Sequence, residues 1–129
     1  FKSYNDTYGH LEGDQCLRHI AQAIHATIQR PSDMVARYGG DEFALLLPNT
    51  ILDGAQHLAE EIRDRISKLQ IRHEKSPVTN YITVSMGAGC GIPDDELSED
   101  KFIWLADKAL YEAKVKGSNC FIGKTWSNQ

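Results

Sequence analysis

The sequence predicts an α+β domain, a mainly antiparallel sheet flanked by helices, and three observations carry that prediction. Apolar residues recur at helical steps in three separate segments. Two apolar runs flank the tetrapeptide Gly39-Gly40-Asp41-Glu42, and a later stretch alternates apolar with polar residues. Helical and extended segments interleave along the chain, with no repeat or low-complexity tract between them.

Taken in order, residues 5–9 are turn-formers, and Asn5 and Asp6 suit Asx-turns that bond their own backbone. Leu17, Ile20, Ala21, Ile24 and Ile28 then form an apolar stripe, which predicts a helix over residues of about 12 to 29. Pro31 stops it, because the residue before a proline avoids helical geometry. Asp14 falls in its first turn, where the helix dipole favours any acid. Met34-Val35-Ala36 and Phe43-Ala44-Leu45-Leu46-Leu47 read as two strands of a hairpin with Gly39, Gly40, Asp41 and Glu42 at the tip. Glycines there let a ligand approach the backbone, and adjacent carboxylates are hard oxygen ligands suited to a magnesium ion that also holds a phosphate. A tight turn carrying two solvated acids is the competing reading of the tetrapeptide alone.

A second helix follows, with Ala55, Leu58, Ala59, Ile62, Ile66 and Leu69 as its stripe and Glu60, Glu61, Arg63, Asp64 and Arg65 as its solvated face. Residues 70–80 read as a loop or edge. Residues 81–89 read as a half-buried strand, with Ile82, Val84 and Met86 against Thr83 and Ser85. Beyond an acidic loop over residues 94–100, Ser98 is the predicted N-cap of a last helix, and Gly117 is its C′ stop. Phe102, Leu105, Ala106, Ala109, Leu110 and Ala113 form its buried stripe. Cys120, Phe121 and Ile122 predict a short final strand.

At 129 residues the whole chain is expected to be one domain, residues 1–129. A formal net charge of −4 argues against a general polyanion-binding surface, so no nucleic-acid partner is expected and a nucleotide site must concentrate its cations locally. No apolar run approaches membrane-spanning length and no signal peptide is visible, so direct membrane insertion of this domain is not expected. Cys16, Cys90 and Cys120 are odd in number and lack metal-type spacing; they read as reduced thiols of a cytoplasmic protein. The histidines form no i, i+4 pair, and no metal role is expected of them.

The string Arg37-Tyr38-Gly39-Gly40-Asp41-Glu42-Phe43 resembles the signature of the GGDEF family, the diguanylate cyclases. Upstream, Phe1-Lys2-Ser3-Tyr4-Asn5-Asp6, Gly9-His10 and Gly13-Asp14 resemble the family's FKxxND, GH and GD segments. Downstream, Val84-Ser85-Met86-Gly87 resembles its VSxG segment. The run from Ala106-Asp107-Lys108-Ala109-Leu110 through Tyr111-Glu112-Ala113-Lys114 resembles ADxALYxAK. These ordered matches cover nearly the whole chain. The resemblance implies a ferredoxin-like sheet of the nucleotide-cyclase palm type and a homodimer that condenses two GTP into cyclic di-GMP, releasing pyrophosphate. It implies magnesium dependence, with manganese as a substitute.

Residue by residue, the resemblance implies that Asp41 and Glu42 ligate metal, with Glu42 as second ligand or base, and that Gly40 belongs to the catalytic turn. Backbone amides near Phe1 and Lys2 hold phosphate oxygens, Asn5 and Asp14 contact guanine, and Lys114 meets the terminal phosphate. Arg30 and Asp33, with five residues between Asp33 and Gly39, resemble an inhibitory site for the product. Plainer readings stand beside these: Lys114 and Arg30 near helix C-termini, favourable to the dipole, and Asp33 in a turn. One departure is clear. The family commonly shows Gly-Arg-Asn after the lysine, and here the chain reads Gly117-Ser118-Asn119. Losing that charge-assisted bond predicts triphosphate binding weaker by about 1.5–3 kcal/mol.

The family's first strand and first metal-binding aspartate would precede Phe1, so upstream residues are expected in the parent protein, along with an N-terminal sensory or dimerising module, in some parents tethered to the membrane. The rival reading is a GGDEF-type receptor that binds GTP or cyclic di-GMP with little or no turnover. A cyclase for adenine nucleotides is disfavoured, because the Asp14 carboxylate would face an acceptor nitrogen.

Overall fold

Tyr4 and Tyr8 stand one helical turn apart, and their rings meet with centroids 4.8 Å apart. In the computed structural model, which describes residues 2–28, 30–39, 42–74 and 81–126, this pair makes a helix, α1 (Lys2–Tyr8), of the segment expected to be a turn. Burial of the Tyr4 ring, 5% exposed, outweighs the turn propensity of Asn5 and Asp6, because propensity is a weak prior against packing. The chain divides into two units, residues 1–49 with 61–83 and residues 50–60 with 84–129.

In the first unit, α1 runs into α2 (His10–Thr27). That helix buries Leu17, Ile20 and Ile24 of the predicted stripe, with Gly13, Cys16 and Thr27 beside them, while Ala21 and Ile28 are only half-buried. It ends at Thr27; the Ile28 amide donates to Ile24 O at 3.2 Å from an extended backbone. Burial pushes the Cys16 thiol pKa up to about 11, which leaves it protonated and inert. Strands β1 (Met34–Gly39) and β2 (Glu42–Leu46) form the predicted hairpin, antiparallel from Met34↔Leu46 to Gly39↔Glu42. The register shifts between Arg37 and Gly39, so Tyr38 is the extra residue of a bulge beside the tip. Helix α3 (Leu52–Lys68) buries Ala59, Ile62 and Ile66. After it, Arg72 bridges Tyr81 and the Ile82 amide donates to Ile71 O at 2.7 Å.

In the second unit, strand β3 (Met86–Cys90) is shorter than the expected strand and begins five residues after Tyr81. It pairs with β4 (Phe121–Thr125) in register Met86↔Phe121 through Cys90↔Thr125. This pair is parallel, whereas the hairpin and the Arg72–Tyr81 bridge are antiparallel. The reason is connectivity: α4 (Glu99–Val115) lies between the two strands in sequence, and a helical crossover returns the chain in the same direction. Ser98 caps α4 as predicted, accepting from the Lys101 amide at 3.3 Å. Gly117 has φ +121° after the helix, and the Ser118 amide donates to Ala113 O at 3.0 Å, closing a Schellman-type end. Leu105, Ala109 and Ala113 are its buried stripe.

Helix α4 packs against β3 backbone to backbone. A Cβ on Gly87 would lie 2.6 Å from Leu110 Cα, with rigid backbone on the far side. We expect Gly87→Ala to destabilise the protein by about 1–3 kcal/mol, the usual cost of overpacking; a chemical-denaturation midpoint equal to that of the parent would refute the close packing. Among the described residues no helix is long and apolar enough to cross a membrane.

Candidate nucleotide site

The corner between α1 and α2 carries the most specific polar arrangement of the first unit. The Gly9 amide donates to Asn5 O at 2.7 Å, turning the chain so that the Asn5 side chain lies on Gly13. A Cβ on Gly13 would collide with the Asn5 amide group, whose Cγ lies 3.0 Å from that position. Gly13 is therefore a requirement of the site. Asn5 Oδ1 is buried and has no hydrogen-bond partner among the described residues. Leaving a buried acceptor unmade is costly. Asp14 follows Gly13 directly and is exposed on α2.

The hairpin holds the second group. The ladder closes at Gly39↔Glu42, which puts the Glu42 carboxylate, exposed, at the first position of β2. Gly40 and Asp41 between these positions, and Phe1, lie outside the described residues. Lys2 begins α1, so its backbone amide is at the open N-terminus of that helix. Among the described residues no three His, Cys, Asp or Glu side chains cluster as a metal site.

The Arg30 and Asp33 pair is formed within the chain itself. Arg30 Nε donates to Asp33 Oδ2 at 3.1 Å and Nη2 to Oδ1 at 2.7 Å, a bidentate fork. Arg30 Nη2 also donates to Pro48 O at 2.9 Å. The hydrogen bond to Asp33 raises the Arg30 pKa further above its ordinary value. Lys114 belongs to the other unit, exposed in the last turn of α4. The turn after it holds Ser118 at φ +61° and Asn119 at φ +50°, both left-handed, with the Asn119 amide donating to Ser85 Oγ at 3.2 Å.

Asn5 and Gly13 are thus brought together, as are Arg30 and Asp33, and Asp14 follows Gly13 in sequence on the exposed side of α2. Sequence reasoning missed the role of Gly13, for which the Gly-Asp pair was the only signal. It also passed over His73, which is buried with its ring edge-on to that of Tyr4 and has nothing in its spacing to mark it.

Comparison with known proteins gives a consistent result. The family described as diguanylate cyclase, GGDEF domain, matches residues 1–120. The probable diguanylate cyclase DgcT of Escherichia coli is 39% identical over 119 residues, covering 92% of this chain and 26% of that protein. The chain thus spans about a quarter of the length of that curated relative. The GGDEF domain of DgcB from Caulobacter crescentus, in complex with c-di-GMP, superposes with TM-score 0.80 at 34% identity, over 95% of this chain and 70% of that one. The active GGEEF domain of a diguanylate cyclase from Vibrio cholerae superposes with TM-score 0.78 at 30% identity, over 98% and 77%. With its hairpin signature, its α1–α2 corner and its nucleotide-cyclase-like palm fold, this chain belongs to the GGDEF domain family of diguanylate cyclases.

Proposed function

We propose that the domain condenses two GTP molecules into cyclic di-GMP with release of two pyrophosphates. The observation that carries this reading is the α1–α2 corner. Asn5 has a buried amide oxygen without a partner among the described residues, and Asp14, next in sequence to Gly13, is a carboxylate that can accept from the N1 and N2 protons of guanine. Adenine lacks that donor pair. In this reading the amides at Phe1 and Lys2 are assigned to phosphate oxygens, and Lys114 is separately assigned to the terminal phosphate.

The hairpin tip fits a divalent ion by its donor set, hard carboxylate oxygens at Asp41 and Glu42. When bound, magnesium (or manganese) supplies charge neutralisation on the triphosphate. Glu42, at the end of the ladder, is the acceptor this reading assigns to the proton of the attacking 3′-hydroxyl. Each domain holds one GTP, so two hydroxyls and two α-phosphates meet only across a two-fold axis, and the working form is a homodimer. An N-terminal sensory or dimerising module then controls activity by bringing domains together. The reaction belongs to the cytoplasm, where GTP is available. Competition binding tests the base assignment: GTP should displace a labelled guanine nucleotide, and ATP at equal concentration should not. Equal displacement by both would overturn it.

Product inhibition at Arg30 and Asp33 is part of this proposal. A product phosphate competes for the Arg30 fork that now serves Asp33 and Pro48. Arg30→Ala should raise the inhibition constant for cyclic di-GMP by about tenfold or more, one charge-assisted contact. An unchanged constant would leave the pair a purely structural clasp.

The receptor reading is favoured by one specific observation, the left-handed Ser118 where the family commonly carries arginine. Ser118→Arg should tighten GTP binding by about tenfold if the phosphate lies near this turn. No change would place the phosphate elsewhere.

A further inference from the structure

His73 is 6% exposed, and its Nε2 is buried without a hydrogen-bond partner among the described residues. Its ring stands edge-on to Tyr4, with centroids 5.5 Å apart and planes at 74°. Next to it, the Glu74 amide donates to Tyr8 Oη at 3.2 Å. Tyr4 and Tyr8 are both on α1, on either side of Asn5. The segment bearing His73 is itself anchored by the Arg72↔Tyr81 bridge and the Ile82 to Ile71 hydrogen bond. A seven-residue helix has too few internal bonds to hold itself. Its position is set by what it leans on.

We propose that His73 is the positioning residue of α1: the neutral imidazole, packed against Tyr4, holds this helix and with it the Asn5 amide in the geometry that receives guanine. The last step rests on the reading of Asn5 as a guanine contact; the brace itself does not. Among the described residues, Tyr4 faces it from α1, Tyr8 reaches the neighbouring Glu74 amide, Glu12 and Cys16 of α2 act on Tyr4, and Arg72 and Glu74 flank it on its own segment, paired with each other at 3.8 Å.

Desolvation lowers the His73 pKa. The sign follows: a histidine whose folded pKa lies below its unfolded value stabilises the fold above the unfolded pKa, and that contribution is lost as pH falls through the folded pKa. Protonation therefore loosens the brace on the acid side of about pH 6.5. By linkage, nucleotide binding must lower the His73 pKa by the same factor that protonation weakens nucleotide binding.

The test follows the His73 ring and the Asn5 amides of the full chain by NMR from about pH 7.5 to about pH 5.5, across the ordinary histidine range. Binding of an α,β-methylene analogue of GTP, which cannot lose pyrophosphate, is measured over the same range. In the parent protein the Asn5 amides should move with the His73 titration, and affinity should fall about tenfold more than in His73→Phe, which keeps a ring that takes no proton. Asn5 amides that ignore the His73 titration would overturn the brace, as would a pH dependence of binding unchanged in His73→Phe. The parent titration stands without the variant should His73→Phe fail to fold. If Asn5→Ala leaves analogue affinity unaltered while the Asn5 amides still follow His73, the brace holds and the guanine assignment falls.

Discussion

Asp41→Ala combined with Glu42→Ala is expected to remove cyclic di-GMP synthesis, a fall on the order of a thousandfold or more, while the thermal midpoint stays near that of the parent. The two halves of this expectation have separate grounds. Positioned charge at a developing transition state contributes factors of about a hundred to a thousand per group, and here both carboxylates at the tip are removed. The hairpin that carries them is held elsewhere, by the antiparallel ladder from Met34↔Leu46 to Arg37↔Phe43. Glu42 is exposed, so its loss uncovers no core. Pyrophosphate release and a melting curve on the same sample read both quantities. Retained synthesis would remove the carboxylates from the chemistry, and a collapsed midpoint would make them structural.

Gly13→Ala should weaken GTP binding by about a hundredfold with modest loss of stability. Alanine is a good helix residue at an interior position of α2, and propensity alone favours the change. The added methyl, however, takes the space in which the Asn5 amide lies. Asn5 must rotate away or α1 must shift, and either movement takes the amide out of reach of the base. One lost polar contact and a displaced helix together correspond to about 2–3 kcal/mol of affinity. Titration calorimetry with the α,β-methylene analogue measures it. A Gly13→Ala protein that binds as the parent does would show that the corner does not hold guanine.

Much of this architecture was legible because its elements obey local rules. The α2 stripe through Leu17, Ile20 and Ile24, the Ser98 cap, the Gly117 stop and the Gly39-Gly40 hairpin each follow from periodicity or turn chemistry and appear where expected. What was missed depends on contacts distant in sequence. Residues 5–9 read as turn-formers because Asn5 and Asp6 favour a turn, whereas the structure has a helix over Lys2–Tyr8 in which Tyr4 is buried with its ring against His73. The strand at 81–89 shortens to Met86–Cys90, since Tyr81 and Ile82 bond back to Arg72 and Ile71 before β3 begins. At the site, the family resemblance pointed to Asn5, Asp14 and Glu42. The function of Gly13 was hidden, because a glycine states nothing about the side chain that will lie on it. The resemblance named Arg30 and Asp33 together, but the bond from Arg30 to the Pro48 carbonyl comes from the return of the hairpin.

The central claim is that two GTP molecules become one cyclic dinucleotide, and the most direct test is to incubate the protein with GTP and magnesium and separate the products by chromatography. The account predicts cyclic di-GMP, with two pyrophosphates for each molecule formed and none from ATP. Measurable GTP binding by a demonstrated dimer, with no cyclic product, would contradict it and make the domain a receptor.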